Sequence, residues 1–170
     1  MHKIFIANWK MNPQNFFDAE KLLKSALKFK TSNIKIVLCP PFVWLRNLIL
    51  KSKNKIEFGA QNMFFEEKGA FTGEISYKML KNIGVKYVIL GHSERRNIFG
   101  ETNEIISKKV FAAVLNNLVP ILCVGENLNA RKKGKKFFEK FVLNQLEKSL
   151  DKLIQNKIFN KEIIIAYEPV

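Results

Sequence analysis

The chain has 170 residues, of which 47% are hydrophobic and 26% charged, enough for one domain with a hydrophobic core. This composition excludes a disordered chain, and the cysteine count of 2 excludes a disulfide scaffold. The net charge is +14, but only four basic residues are arginine, and asparagine is also in excess at 17 residues. We therefore interpret the lysines as a compositional bias on solvated surfaces.

Short apolar runs alternate with helical periodicities along the chain. The runs predict strands at 3–7, 34–39, 56–60, 87–90, 119–124 and 163–166. Several are apolar at consecutive positions, which is typical of parallel strands buried on both faces. Between them, Asn12 and Pro13 predict the cap and first residue of one helix, and apolar spacing predicts others over about 103–116 and 136–155.

The alternation predicts an α/β domain with a parallel sheet, either doubly wound or closed as a (β/α) barrel. A dinucleotide-binding fold requires G-x-G-x-x-G after its first strand. Residues 8–12, Asn-Trp-Lys-Met-Asn, contain no glycine, which favours the barrel.

The cysteines and histidines give little indication of metal chemistry. Cys39 and Cys123 each lie in an apolar run and are expected to be reduced core thiols. No ligand spacing links them to His2 or His92, so no metal is expected. The apolar segment 4–7 is too short for a signal peptide, and polar residues and a proline interrupt the run at 110–125. We expect a cytoplasmic protein with no membrane partner.

Polar residues follow three of the predicted strands. Asn8 and Lys10 follow the first strand, two positions apart and hence on one side of an extended segment. His92 follows the fourth strand, where Ser93 is expected to cap a helix and the helix end favours a neutral imidazole that can donate a hydrogen bond. Glu168 follows the sixth strand, before a proline that restricts its backbone, as a candidate general base. Taken singly, a lysine such as Lys10 or a glutamate such as Glu168 is more often a solvated surface residue, and a histidine such as His92 is as often structural as functional.

Several segments resemble the triosephosphate isomerase family, occur in family order and span the whole chain. They are Asn-Trp-Lys-Met-Asn at 8–12, Gly-Ala-Gln-Asn at 59–62, Gly-Ala-Phe-Thr-Gly-Glu-Ile-Ser at 69–76, Val-Ile-Leu-Gly-His-Ser-Glu-Arg-Arg at 88–96, Cys-Val-Gly-Glu at 123–126 and Ala-Tyr-Glu-Pro-Val at 166–170.

The resemblance implies interconversion of dihydroxyacetone phosphate and glyceraldehyde 3-phosphate through an enediolate, without a cofactor. It implies that Glu168 moves the proton between carbons, that His92 polarises the carbonyl, and that Lys10 supplies positive charge.

Further residues receive supporting roles from the same resemblance. Asn8 is expected to position the substrate, Glu94 to pair with Lys10, and Ser93 to hold Glu168 in the unliganded state. The remaining two are Cys123, expected behind the site, and Thr72, expected to reach into the partner subunit of a homodimer.

The chain is shorter than the family pattern. A complete barrel has about 250 residues, so roughly 80 are expected to be missing, including strands 7 and 8, the phosphate-binding loops and the lid beyond Val170. We therefore expect residues 1–170 to form a single partial barrel domain with open edges at its first and last strands, and little or no activity alone.

Two other readings remain open. The basic cluster at 131–136, Arg-Lys-Lys-Gly-Lys-Lys, is compatible with a nucleic-acid-binding protein, although we expect only weak, salt-sensitive binding of polyanions and no sequence-specific binding. The chain is also compatible with a non-catalytic remnant or one half of a split protein.

Overall fold

A computed structural model of the chain describes residues 3–29 and 33–169. Six parallel strands form one sheet in the order β1 to β6. They are β1 (Lys3–Asn8), β2 (Ile34–Cys39), β3 (Glu57–Ala60), β4 (Tyr87–Leu90), β5 (Val119–Val124) and β6 (Ile164–Tyr167). The predicted strands agree with these within one residue at each end.

The helices occupy the connections between the strands. They are α1 (Phe16–Lys28), α2 (Phe42–Ser52), α3 (Tyr77–Asn82), α4 (Ser93–Asn97), α5 (Asn103–Leu115), α6 (Leu128–Lys132) and α7 (Lys135–Gln155). The helices predicted over about 103–116 and 136–155 correspond to α5 and α7. Each begins and ends within one residue of its prediction.

The strand order identifies the architecture. A doubly wound sheet reverses its strand order at one point, so that helices cover both faces. Here the order follows the chain without reversal, and the sheet curls into a partial barrel with α/β topology. This confirms the prediction of an incomplete (β/α)8 barrel.

Alternation along the strands separates two apolar layers. The inner layer faces the barrel axis and contains Val37, Cys39, Tyr87, Ile89, Ile121 and Cys123. The intervening strand residues, such as Leu38, Val88 and Leu122, pack outward against the helices in the larger core. Strands in the middle of the sheet are thus buried on both faces, as their continuous apolar runs predicted.

The start of α1 differs from the prediction. The prediction that Asn12 and Pro13 begin the helix was wrong, because Asn15 provides the cap and α1 begins at Phe16. The Asn15 Oδ1 accepts a hydrogen bond from the Asp18 backbone N–H at 2.9 Å, and the Asp18 carboxylate suits the positive helix end. Residues 9–14 instead form the loop that carries Lys10.

In the described part of the chain, β1 and β6 each pair with one neighbouring strand. Phe5 of β1 is 59% exposed, and Ile165 and Tyr167 of β6 are also exposed on their outward side. Both outer strands therefore present apolar surface and unpaired backbone groups.

Candidate active site

The site forms at the carboxyl edge of the sheet, where parallel strands bring their following residues together. Lys10, His92 and Glu168 follow β1, β4 and β6, which the sheet order separates. Curling of the sheet brings all three together: Lys10 pairs with Glu94 in α4, and Glu168 contacts both His92 and Ser93. The structure thus assembles the strand-end residues that the sequence singled out.

His92 is buried and is itself the cap of α4, so the expectation that Ser93 caps this helix was wrong. Its Nδ1 accepts a hydrogen bond from the Glu94 backbone N–H at 3.3 Å. The imidazole is geometrically suited to this because Nδ1 carries a free lone pair in one neutral tautomer. That tautomer places the ring proton on Nε2, which lies 3.1 Å from Glu168 Oε1. His92 therefore presents a hydrogen-bond donor to the site.

The Glu168 carboxylate is held by two groups of the β4–α4 connection. Its Oε2 accepts a hydrogen bond from the Ser93 backbone N–H at 3.0 Å, and its Oε1 lies against His92 Nε2. The contact expected of Ser93 is thus made by its main chain. Glu168 is partly exposed, with 29% of its side chain accessible, so a ligand can reach it from the open side of the sheet.

Gly125 allows the backbone of Glu168 to approach β5. The Glu168 N–H donates to the Val124 carbonyl at 2.8 Å, continuing the β5–β6 ladder by one residue. A Cβ at Gly125 would collide with the Glu168 backbone carbonyl. The glycine of the 123–126 segment therefore fixes the position of the candidate base.

Lys10 is held in its loop by three contacts. Its backbone is left-handed, with φ 53°, and its N–H donates to Asn8 Oδ1 at 3.0 Å. Gln61 Nε2 donates to the Lys10 carbonyl at 2.8 Å, and Lys10 Nζ bonds Glu94 Oε1 at 2.6 Å.

The Lys10–Glu94 contact keeps both groups ionised. The hydrogen bond raises the pKa of Lys10 above its ordinary value and lowers the pKa of Glu94. The site therefore holds an ammonium group that is paired with Glu94 and also interacts electrostatically with Glu168.

Glu126 anchors the residue before Glu168. The Tyr167 hydroxyl donates to Glu126 Oε2 at 2.8 Å, and Arg131 Nη1 bonds Oε1. The Glu126 side chain is fully buried, so these contacts compensate the cost of desolvating its charge. Arg131 belongs to the basic cluster at 131–136, and this contact binds it within the fold.

Cys123 lies on the inner face behind Glu168, and Cys39 lies on the same face; both thiols are free. Burial raises the pKa of Cys39 to about 12. Burial and the Glu168 carboxylate likewise raise the pKa of Cys123. Both sulfurs therefore remain protonated, and they function as packing groups.

Thr72 lies away from this cluster, in an exposed turn between β3 and α3. The Glu74 N–H donates to the Phe71 carbonyl at 3.0 Å, and Gly73 has φ 90°, so Thr72 lies at the tip of a tight turn. Of the residues singled out from the sequence, Thr72 is the one that the described chain does not bring to the site.

A cavity of about 520 Å³ lies beside the site, lined in part by Ser93, Arg96, Gly125, Gln145 and Glu168. Lys10 and His92 do not line it. Of the three side chains, Glu168 alone lines this cavity, so a ligand that contacts all three must extend beyond it towards His92 and Lys10.

Three residues at this edge were not singled out from the sequence. Gln61 bridges the carbonyls of Lys10 and Cys39, Glu126 holds Tyr167, and Arg96 contacts the ends of β4 and β5. Each follows a strand by only a few residues. A search for every polar side chain just beyond a strand would have included them.

Within residues 3–29 and 33–169, no helix is long and apolar enough to cross a membrane. The same residues contain no group of three or more His, Cys, Asp or Glu side chains arranged to hold a metal ion.

Comparison with known proteins identifies one family. The model of the triosephosphate isomerase family matches residues 3–170. The chain is 48% identical to the triosephosphate isomerase of Thermoanaerobacter pseudethanolicus, with 98% of this chain and 66% of the relative aligned. It is 44% identical to that of Natranaerobius thermophilus, covering 98% of this chain and 64% of the relative, and 45% identical to that of Gloeothece citriformis, covering 100% and 69%. The chain thus spans about two thirds of the length of these relatives.

Proposed function

The chain belongs to the triosephosphate isomerase family, and we propose that it carries the acid–base centre that interconverts dihydroxyacetone phosphate and glyceraldehyde 3-phosphate. One observation carries the proposal. A carboxylate and an imidazole N–H face each other at 3.1 Å across the ends of β6 and β4, beside the ammonium of Lys10. Proton transfer next to a carbonyl requires a base, a hydrogen-bond donor to oxygen and a fixed positive charge.

In the proposed reaction, Glu168 removes a proton from C1 of dihydroxyacetone phosphate and returns it to C2, while the proton of the C1 hydroxyl passes to the oxygen on C2. His92 Nε2–H donates to the carbonyl oxygen, which becomes negative as the enediolate forms. In the unliganded structure this N–H faces Glu168 Oε1, and Ser93 N–H holds the other carboxylate oxygen. Substrate binding therefore replaces these contacts and frees the carboxylate to act as a base.

Lys10 provides positive charge for the phosphate and for the developing enediolate. Its pairing with Glu94 keeps it protonated and oriented, and Asn8 fixes the loop through the Lys10 N–H. In our proposal Asn8 also contacts the substrate, while Cys123 packs behind Glu168.

The proposal includes low activity for the 170 residues alone. The aligned relatives are about half as long again, and the site lies open, since 54% of the Lys10 side chain is exposed. Solvent screens the charges of an open site, and binding energy from the phosphate end is lost without groups to hold it. Little or no turnover is therefore expected.

A fusion protein tests the substrate and the reaction together. It joins residues 1–170 to the last third of the Thermoanaerobacter pseudethanolicus relative, which is 48% identical over the shared part. We expect the fusion protein to interconvert the two triose phosphates, and its Glu168→Gln and His92→Gln variants to lose most of that activity.

Glu162→Gln is the matched control, because Glu162 is an exposed glutamate near the opposite end of β6. It should leave the rate unchanged. A folded fusion protein without isomerase activity, or one whose activity survives Glu168→Gln, would contradict the proposal.

We also propose that the complete site belongs to a homodimer. Exposed apolar side chains occur on the connections that follow β1, β3 and β4, including Met11, Phe71, Ile98 and Phe99. Thr72 lies next to Phe71 in the exposed turn between β3 and α3. Sedimentation of the fusion protein over a concentration series should give a dimer. A monomer at all concentrations would contradict this part of the proposal.

A cytoplasmic location completes the proposal, supported by the two free, buried thiols.

A further inference from the structure

Arg96 makes an unusual set of contacts for a guanidinium. Its Nε donates to the Gly91 carbonyl at 2.6 Å and its Nη2 donates to the Cys123 carbonyl at 3.1 Å. The remaining contacts are side-chain oxygens on two helices, Asn103 Oδ1 at 2.7 Å and Ser149 Oγ at 3.3 Å. Four groups from α5, α7 and the ends of β4 and β5 thus converge on one side chain.

The two backbone acceptors lie where the β4–β5 ladder ends. The last paired residues are Leu90 and Leu122, so Gly91 and Cys123 are the next residues along each strand. The guanidinium bridges their carbonyls and connects the two strands beyond the ladder. A Cβ at Gly91 would lie 2.7 Å from Arg96 Nη2, so the close approach requires the glycine.

Both carbonyls belong to peptide units that adjoin the site. The Gly91 carbonyl is part of the peptide that carries the His92 N–H, so its orientation sets the start of α4 and the direction of the imidazole. The Cys123 carbonyl precedes Val124, whose own carbonyl accepts the Glu168 N–H. The Arg96 contacts therefore adjoin the peptide unit of His92 directly and that of the Glu168 partner Val124 one residue away.

Charge pairing does not account for this arrangement. Within the described residues Arg96 forms no salt bridge, although its neighbour Arg95 bonds Glu101 at 2.6 Å. Burial lowers the pKa of Arg96, opposed by Cys123, Glu101 and Glu168 at longer range. A partly buried cation that contacts only neutral oxygens adds little stability as an ion, but its planar fork of donors specifies geometry.

We propose that Arg96 is a positioning residue that clamps the ends of β4 and β5 and thereby fixes His92 in the tautomer and orientation facing Glu168. The effect of Arg96 on catalysis rests on the proposed function, but its effect on the orientation of His92 does not. Lysine cannot replace the arginine, because one ammonium lacks the fork that spans both carbonyls.

The test is the imidazole ¹⁵N spectrum of the 170-residue protein. The chain has only two histidines, so a His2→Gln background leaves His92 as the sole signal. In the protein that retains Arg96, we expect His92 to show a single tautomer, with the proton on Nε2 and with Nδ1 accepting from the Glu94 N–H. In Arg96→Lys and Arg96→Met the two nitrogen signals should shift towards a mixture of tautomers.

Arg95→Met is the matched control, since Arg95 is the adjacent residue of α4 and contacts Glu101 and the Phe99 ring. It should lower the melting temperature and leave the His92 signals unchanged. If Arg96→Met does not fold, Arg96→Lys carries the test, because it keeps the charge and most of the side-chain volume. Unchanged His92 signals in folded Arg96→Lys overturn the inference.

A second measurement uses the fusion protein. Arg96→Lys should lower kcat by roughly ten- to a hundredfold, with little change in KM for dihydroxyacetone phosphate, because misplacement affects the reacting groups. A rise in KM of similar size with no change in kcat would contradict the positioning role. If the fusion protein is inactive while the His92 signals respond as expected, the proposed function fails and the role of Arg96 stands.

Discussion

A buried ion cluster beside the site gives the sharpest stability prediction. Glu101 Oε1 accepts from Lys109 Nζ at 2.5 Å and from Arg95 Nε at 2.6 Å. The Glu101 and Lys109 side chains are only 6% and 3% exposed. Asn62 Oδ1 accepts a further bond from Lys109 at 2.9 Å, which connects the loop after β3 to α5.

Glu101→Gln removes the negative charge from this cluster with little change in shape. It leaves Lys109 buried without a carboxylate, for which the cost is typically about 3–5 kcal/mol. Asn62 still accepts one ammonium hydrogen, so we expect the lower end, about 3 kcal/mol. The exposed pair of Glu67 and Lys78, 2.7 Å apart, provides the control, and Glu67→Gln should leave the free energy of unfolding almost unchanged because solvent screens this pair.

The loss should depend on pH in a defined direction. Burial opposes ionisation of Glu101, but the hydrogen bonds from Lys109 and Arg95 outweigh it, so the pKa of Glu101 is lowered below 4.5 in the folded state. A carboxylate with a lowered folded-state pKa stabilises the fold above its unfolded-state value and loses that contribution as pH falls through the folded-state value. The difference in free energy of unfolding between wild type and Glu101→Gln should therefore be largest at neutral pH and should shrink in acid below pH 4.5.

Urea denaturation followed by circular dichroism measures both effects. Lys109→Met and the double variant complete the cycle. The double variant should be less damaging than the sum of the single variants, because it leaves no buried ammonium without a carboxylate; only Arg95, whose side chain is 28% exposed, loses its partner. If Glu101→Gln shows no cooperative unfolding transition, the variant does not fold, which is the extreme case of the expected loss of stability. A Glu101→Gln cost no larger than that of Glu67→Gln, or one independent of pH, would show that the buried charge of Glu101 does not stabilise the fold.

Three further predictions concern the core, the thiols and the position of the base. Leu122→Ala, at a fully buried outward position of β5, should cost about 2–5 kcal/mol in urea denaturation, and a cost below about 1 kcal/mol would contradict the packing described. Cys39, with its pKa raised to about 12, and Cys123, whose pKa is also raised, should not react with a thiol reagent at mildly alkaline pH until the chain unfolds; rapid labelling of the folded protein would show that they are exposed. Gly125→Ala should displace Glu168 by on the order of 1 Å and lower the activity of the fusion protein about a hundredfold, so full activity would exclude the close approach.

The strands could be predicted because their signal is local. Parallel strands covered on both faces need continuous apolar runs, and the central ones, β4 and β5, were bounded correctly by this rule. The start of α1 could not be predicted in the same way. Both Asn12 and Asn15 can cap a helix, and the choice depends on the loop that the Lys10 contacts impose.

The same distinction between local and tertiary signals applies to the site residues. Lys10, His92 and Glu168 could be proposed because each directly follows a strand, where the fold gathers polar groups. The same rule would have included Arg96 as a candidate but not its role, which depends on the backbone carbonyls that the curled sheet brings within reach of its side chain.

The most direct test of the account is hydrogen exchange into the substrate. The fusion protein is incubated with dihydroxyacetone phosphate in deuterium oxide, and deuterium at C1 is followed by NMR, which detects proton removal even when isomerisation is slow. If Glu168 is the base, incorporation is lost in Glu168→Gln and retained in Glu162→Gln. Incorporation at the wild-type rate in Glu168→Gln would contradict it, because some other group would then be the base.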